Sequence, residues 1–124
     1  MKIEVRGLNK IYPNGKHALS DINLTIENGM FGLLGPNGAG KSSLIRILVT
    51  LLIPTSGRVC VNGYDLIRDR GKIRAMLGYL PQDFRFFSKL KTWEFLDYAA
   101  GLSGITSKKI RRKKVDEWLE KVGL

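Results

Sequence analysis

The segment from residue 30 to residue 52 constrains the fold of this chain most. A short apolar run over 30–34 leads into a glycine-rich stretch, and apolar residues then recur over 41–52. The apolar run lacks alternation and predicts a strand covered on both faces. In the following stretch the apolar positions lie nearly all round a helix, which predicts a buried helix. The order is therefore strand, tight glycine loop and helix.

The glycine-rich stretch has the composition of a phosphate cradle. It reads Gly35-Pro36-Asn37-Gly38-Ala39-Gly40-Lys41-Ser42 and fits the pattern G-x-x-x-x-G-K-[ST]. In such a loop successive backbone N–H groups converge on phosphate oxygens, and a Cβ at Gly38 or Gly40 would obstruct that curl. The first turn of the following helix adds unpaired N–H donors and the positive end of its dipole.

Three side chains at the end of this stretch, Lys41, Ser42 and Ser43, fit the same chemistry. Lys41 would bring a full charge to the β- and γ-phosphates, and the Ser42 hydroxyl is a hard oxygen ligand for Mg²⁺. Ser43 can donate to another phosphate oxygen. The alternative for Lys41 is a solvated lysine at a helix start, but a cation is unfavourable at that end of the helix dipole.

The composition favours a single folded domain without a membrane span or an internal disulfide. The length of 124 residues fits one ordinary domain, and 44% hydrophobic with 26% charged residues supports a packed core. No apolar stretch reaches the ~18 residues of a membrane span, and the N-terminus has no signal-peptide pattern. The single cysteine, Cys60, excludes an internal disulfide and suits a reducing compartment.

The net charge of +10 comes mostly from one cluster. Without the six basic residues within 108–114 the net charge falls to +4. We call these six the basic cluster: Lys108, Lys109, Arg111, Arg112, Lys113 and Lys114. Two interpretations stay open, a solvated helix face, or a contact with RNA, DNA or an anionic membrane.

Periodicity and turn residues predict the other elements. Strands are expected over 2–12, 18–26, around Val59 and Val61, and over 76–80, where the last is of the buried type. A short helix is expected within 66–75. Thr92 is expected to cap a helix over 93–101, and Ser107 to cap one over 108–122 that ends at Gly123.

With these motifs in place, the sequence resembles the first half of the nucleotide-binding domain of ABC transporters. The loop sequence Gly-Pro-Asn-Gly-Ala-Gly-Lys-Ser-Ser matches the family's Walker A motif. Residues 54–59, 62–63, 78–82, 92–96 and 101–102 also match the family's pattern. The resemblance implies an α/β fold: a truncated P-loop NTPase (RecA-like) core with an antiparallel β subdomain and the start of a helical subdomain. The expected division is 1–89 for the core part and 90–124 for the helical part.

The resemblance also implies roles for two further residues. Tyr12 would stack on adenine, with packing at a strand end as the alternative. Gln82 would ligate Mg²⁺ and help to position the attacking water, with an ordinary polar loop residue as the alternative. The nucleotide site would then consist of Tyr12, residues 35–43 and Gln82, with Lys41 and Gln82 in catalysis, Ser42 and Gln82 on the metal, and ATP and Mg²⁺ as cofactors.

The family's other catalytic elements are expected to follow this stretch. They are the Leu-Ser-Gly-Gly-Gln signature, the strand ending in Asp and the catalytic Glu, and the switch histidine. Neither Leu102-Ser103-Gly104, nor Asp116-Glu117, nor the single histidine, His17, fits these elements. We therefore expect an ATPase fragment that is inactive alone. We also expect low stability in isolation, because strands of the central sheet would lack neighbours.

The implied function is the ATP-binding subunit of an exporter-like ABC transporter, cytoplasmic and peripheral on the inner face of the cell membrane. Its implied partners are a transmembrane permease subunit and a second ATP-binding domain, and nucleic acid is not expected. Phe84, Phe86 and Phe87 either face the groove for the permease's coupling helix or pack inside the chain. The rival function is a soluble ABC-type ATPase that acts on ribosomes or nucleic acid through the basic cluster.

Overall fold

Four antiparallel strands organise the N-terminal part of the chain. The computed structural model describes residues 1–36, 38, 40–82 and 89–124. In it the strands β1 (Ile3–Ile11), β2 (His17–Ile26), β3 (Ser56–Val61) and β4 (Tyr64–Asp65) form one sheet in the order β2-β1-β3-β4. The first three match the strands expected over 2–12, over 18–26 and around Val59 and Val61, and those predictions are confirmed.

The described residues divide into two compact units, 1–79 and 80–124. The first contains the sheet, α1 (Lys41–Leu48) and α2 (Arg70–Met76), and the second contains α3 (Thr92–Leu102) and α4 (Lys108–Lys121). The α/β fold class is thereby confirmed. The domain boundary after residue 89 stays a prediction.

The core of the first unit lies between the sheet and its two helices. Val5 and Leu8 of β1 are fully buried, as are Ile47 of α1 and Ile73 of α2. On β2 the alternation predicted from the sequence is present, since Ile22, Leu24 and Ile26 are half-buried and the residues between them are exposed. The remaining members of this core are Leu19, Leu44, Val59, Val61 and Leu66.

Helix α1 is shorter and less buried than predicted. It ends at Leu48, and Thr50 adopts a left-handed φ of 68° that cannot continue a helix. Leu44 and Ile47 are buried while Ile45 and Arg46 are exposed. The prediction of burial all round was wrong, because within the described first unit the sheet packs against one face of α1 only.

Two predicted buried strands are absent from the described structure. Residues 30–34 form no strand, and the side chain of Leu34 is 97% exposed. Within 76–80, Met76 ends α2 and the following residues form no regular element. Both predictions were wrong. A strand needs a neighbour for its backbone hydrogen bonds, and the only sheet among the described residues pairs neither segment.

The second unit is built on the contacting helices α3 and α4, which bury Ala100 and Val115. Ser107 caps α4 as predicted, because its hydroxyl accepts from the Ile110 N–H at 3.4 Å. Gly123 follows the C-cap Val122 with a φ of 77°, the predicted left-handed end. The predicted cap of α3 was wrong. Thr92 is the first helical residue, and the cap position is Lys91, which makes no side-chain cap bond.

Candidate functional site

The glycine loop closes on itself through the side chain of Lys41. The Lys41 ammonium donates a hydrogen bond to the carbonyl oxygen of Gly35, the first residue of the motif. The charge of the lysine therefore lies over the loop, and the side chain is only partly exposed. Gly35, Pro36 and Gly38 are exposed, so the described part of the loop is accessible to solvent.

The two described glycines inside the loop are needed for different reasons. Both adopt left-handed backbone, with φ of 86° at Gly38 and 92° at Gly40. A Cβ on Gly40 would in addition collide with the carbonyl oxygen of Ala18 on β2 and lie 3.0 Å from Leu19 Cδ2. A Cβ on Gly38 would meet nothing within 4 Å. The fold itself therefore requires Gly40, and Gly38 leaves open space on the loop.

The N-terminus of α1 is arranged to receive an anion. Its N-cap is Gly40, no side chain caps it, and its first turn contains no acidic residue. The N–H groups of that turn and the positive end of the dipole are thus left for another partner. Ser42 is exposed, whereas Ser43 is buried with 8% of its surface accessible.

Tyr12 lies against this same helix start. The hydroxyls of Tyr12 and Ser43 are 2.8 Å apart, although the two residues are 31 positions apart in the sequence. The Gly15 N–H donates to the Tyr12 carbonyl at 2.8 Å and closes the turn that follows β1. The structure thus brings the predicted base-stacking residue and a predicted phosphate ligand into direct contact.

Lys10 and Thr55 belong to this environment and were missed by the sequence analysis. The Lys10 ammonium lies 5.4 Å from the centre of the Tyr12 ring and donates to the Ile53 carbonyl at 2.8 Å. Thr55 Oγ1 accepts from the Ile11 N–H at 2.9 Å. The i, i+2 spacing of Lys10 and Tyr12 at the end of a strand places both on one face and was the available signal.

Other predicted site residues are not brought together by the described structure. Asn37 and Ala39 lie outside the described residues, as do Phe84, Phe86 and Phe87. Gln82 is exposed and belongs to the second unit, so its role stays a prediction. In the part of the chain that the structure describes, no group of three or more His, Cys, Asp or Glu side chains could hold a metal ion.

Three residues of the basic cluster make contacts with other side chains of the second unit. Arg111 pairs with Asp97 at 3.0 Å, the Arg112 guanidinium lies 5.3 Å from the centre of the Trp93 ring, and Lys114 pairs with Glu117 at 3.6 Å. Arg111 and Arg112 thus contact α3, whereas Lys114 pairs within α4 on an exposed part of the helix. The choice between a solvated helix face and a contact with nucleic acid or a membrane stays open.

Comparison with known proteins decides the family. The sequence profile of the family described as "ABC transporter" matches residues 19–124. The chain belongs to the ABC transporter family. This match includes the glycine loop, α1 and the whole second unit. The family resemblance expected from the motifs is confirmed.

Relatives from curated proteins match along nearly the whole chain. The chain is 38% identical to the methionine import ATP-binding protein MetN of Helicobacter pylori, over all of this chain and 39% of MetN. It is also 38% identical to the probable multidrug ABC transporter ATP-binding protein YbhF of Escherichia coli, over 98% of this chain and 21% of YbhF. The chain thus spans well under half the length of these relatives.

Solved ABC structures have the same fold. A dimeric post-hydrolysis state of the ATP-binding cassette MJ0796, bound to ADP and Pi, superposes with a TM-score of 0.79 at 27% identity, covering 98% of this chain and 57% of that one. A structure of the ATP-binding subunit of an ABC transporter superposes with a TM-score of 0.73 at 30% identity, covering 88% of this chain and 45% of that one. None of the helices described in this chain has the length and apolar character needed to cross a membrane.

Proposed function

We propose that this chain binds the phosphates of ATP at the glycine loop and forms part of the ATP-binding subunit of an ABC transporter. The observation that carries the proposal is the position of Lys41, whose ammonium lies over the loop at the uncapped start of α1. Within a member of the ABC family, this arrangement of one full positive charge and unpaired N–H donors suits a phosphate chain.

The residues present fit the nucleotide. Gly38 and Gly40 provide left-handed backbone that lets successive N–H groups turn inward, and the space beside Gly38 is open. Tyr12 presents a half-buried ring next to the helix start, which suits stacking against a planar base. In this proposal residues 35–43 bind the phosphates and Tyr12 binds the adenine.

Mg²⁺ accompanies ATP in the proposal. When bound, the ion neutralises part of the phosphate charge. The exposed Ser42 hydroxyl is the ligand that the first unit offers, and this fits Mg²⁺, which commonly takes one or two protein oxygens together with phosphates and waters. The predicted role of Gln82 as a second ligand and in placing the attacking water rests on the family resemblance.

The proposed partners follow from the family and from the relatives. MetN and YbhF are named as ATP-binding proteins of methionine import and of a probable multidrug transporter. A permease subunit in the membrane and a second ATP-binding domain are therefore the proposed partners, on the cytoplasmic face. These names also favour a transporter over the rival ribosome- or nucleic-acid-bound ATPase. They include an importer, so the exporter-like assignment stays a prediction.

The binding step is tested by titrating Mg·ATP into the chain in a calorimeter. We expect saturable binding that inorganic tripolyphosphate competes away, because the phosphates carry most of the contacts. Absence of binding by a chain whose circular dichroism shows folded helix and sheet would contradict the proposal.

The expected lack of hydrolysis by the chain alone has a separate test. We expect phosphate release from Mg·ATP at the background rate, the same for the wild type and for Lys41→Ala. Mg²⁺-dependent release that Lys41→Ala abolishes would contradict this expectation and leave the binding proposal standing.

A further inference from the structure

The hydrogen bond between Tyr12 and Ser43 joins two parts of the site that have separate roles in the proposed function. The two hydroxyl oxygens are 2.8 Å apart, and either can be the donor. Ser43 lies in the first turn of α1, two residues after Lys41, and is 8% exposed. No other hydrogen bond of the Ser43 hydroxyl is present among the described residues. Tyr12 is thus the side chain that determines the orientation of this buried hydroxyl.

The direction of the hydrogen bond between the two hydroxyls decides whether Ser43 can also donate to a phosphate. Each hydroxyl has one hydrogen to donate and can accept as well. If Tyr12 donates to Ser43, the hydrogen of Ser43 is free to point to an acceptor at the loop. If Ser43 donates to Tyr12, that hydrogen is used. A phosphate oxygen accepts only, so its arrival selects the first arrangement, a chain from Tyr12 through Ser43 to the phosphate.

We propose that Tyr12 is a positioning residue for phosphate binding, whose hydroxyl orients Ser43 as a donor to the nucleotide. The inference rests on the proposed function, and it goes beyond stacking because it assigns the hydroxyl of Tyr12 a role that does not require the base. The ring and the hydroxyl then act on different parts of the same ligand.

The position of the Tyr12 ring supports this role. The Lys10 ammonium lies 5.4 Å from the ring centre and is itself held by the Ile53 carbonyl at 2.8 Å. The ring is therefore restrained at its face by a cation and at its tip by Ser43. A side chain held at two points places its hydroxyl with little conformational freedom to lose when the ligand binds.

The test uses a ligand that has phosphates and no base. We expect Tyr12→Phe to weaken the binding of inorganic tripolyphosphate by about three- to tenfold, the effect of losing one hydrogen bond that orients a donor. The affinity for ATP should fall by a similar factor, and the affinity for adenosine should stay unchanged because the ring is kept. A residue that only stacks on adenine predicts no change for tripolyphosphate.

Two controls complete the experiment. Tyr64 also has a lysine over its ring, with Lys72 Nζ 5.2 Å from the ring centre. Tyr64→Phe should leave the affinities for tripolyphosphate and ATP unchanged. Ser43→Ala should weaken tripolyphosphate binding as Tyr12→Phe does. The double variant should bind tripolyphosphate with the same affinity as Ser43→Ala alone, because both changes break the same chain of hydrogen bonds.

The outcomes separate this inference from the proposed function. Unchanged tripolyphosphate binding in Tyr12→Phe, or strictly additive losses in the double variant, would overturn the positioning role while ATP binding by the wild type upholds the function. In a folded Tyr12→Phe, a loss for adenosine as large as the loss for tripolyphosphate would also overturn it, because the effect would then not be specific to the phosphates. Failure of the folded wild-type chain to bind either ATP or tripolyphosphate would overturn both.

Discussion

Arg111 on α4 donates from Nε to Asp97 Oδ1 on α3 at 3.0 Å and from Nη1 to the carbonyl oxygens of Ile105 and Thr106 at 3.1 and 2.9 Å. One guanidinium thus joins both helices and the loop between them. We expect Arg111→Ala to lower the free energy of unfolding of the second unit by about 1–3 kcal/mol. Arg111→Lys should recover only part of this, because an ammonium lacks the planar arrangement of donors.

Tryptophan fluorescence during urea unfolding measures this effect selectively, since both tryptophans, Trp93 and Trp118, belong to the second unit. Lys113→Ala removes an exposed cation from the same helix and serves as the control, with a change below about 0.5 kcal/mol. Equal stability of Arg111→Ala and Lys113→Ala would show that the three contacts do not stabilise the helix pair.

A second prediction concerns the end of α1. Arg74 donates from Nε to the Thr50 hydroxyl at 2.6 Å and from Nη2 to the Thr50 carbonyl at 3.3 Å. Thr50 is 3% exposed, so Arg74→Leu would leave its buried polar groups without these donors. We expect a loss of about 1–3 kcal/mol in the unfolding free energy, followed by circular dichroism in urea. Arg68→Leu, an exposed arginine nearby, is the matched control, and an equal loss there would refute this explanation.

The two loop glycines should respond differently to alanine. Gly40→Ala combines a left-handed backbone with a collision against the Ala18 carbonyl, and we expect a loss above about 2 kcal/mol. Gly38→Ala adds a methyl group in open space and should lose only the backbone penalty of about 1–2 kcal/mol. Thermal unfolding of both variants measures the difference, and a larger loss for Gly38→Ala would contradict the steric argument.

The carboxylate of Asp65 predicts a pH dependence. The N–H groups of Arg68 and Ile67 donate to Asp65 Oδ1 at 3.0 and 2.9 Å and hold the pKa of Asp65 below its ordinary value of 3.8. Its ionised form is thus favoured by folding, so this stabilisation is present above pH 3.8 and is lost as pH falls through the lower folded pKa. Asp65→Asn should be less stable near pH 5, and the difference from the wild type should shrink in more acidic solution.

That comparison uses urea unfolding at several pH values, with the difference between the two proteins cancelling the titration of other carboxylates. A difference that stays constant from pH 5 down to pH 2.5 would show that Asp65 is not stabilised by these N–H groups.

Local sequence signals predicted those features that depend on neighbouring residues. The alternation of Ile22, Leu24 and Ile26 predicted the half-buried side of β2, and Ser107 predicted the start of α4. The glycine loop was recognisable because the spacing of Gly35, Gly40 and Lys41 reflects one local geometry. These features need no knowledge of which distant segment lies beside them.

Features that depend on distant segments were not predictable. An apolar run such as 30–34 indicates a preference for apolar surroundings, but it does not specify the strand that would pair with it. Likewise, Gly40 had a phosphate explanation in the sequence, whereas the structure adds its close approach to Ala18. The Tyr12–Ser43 contact joins residues 31 positions apart, and neither residue type by itself indicates the other.

The affinity of the folded chain for Mg·ATP before and after Lys41→Ala tests the central claim most directly. Lys16→Ala, which removes an exposed lysine from the turn after β1, is the matched control. We expect Lys41→Ala to weaken binding at least about tenfold, because a charge-assisted contact to phosphate is lost, and Lys16→Ala to change it less than about twofold. Equal affinities of the wild type and Lys41→Ala, with both proteins folded, would contradict the assignment of the glycine loop as the phosphate site.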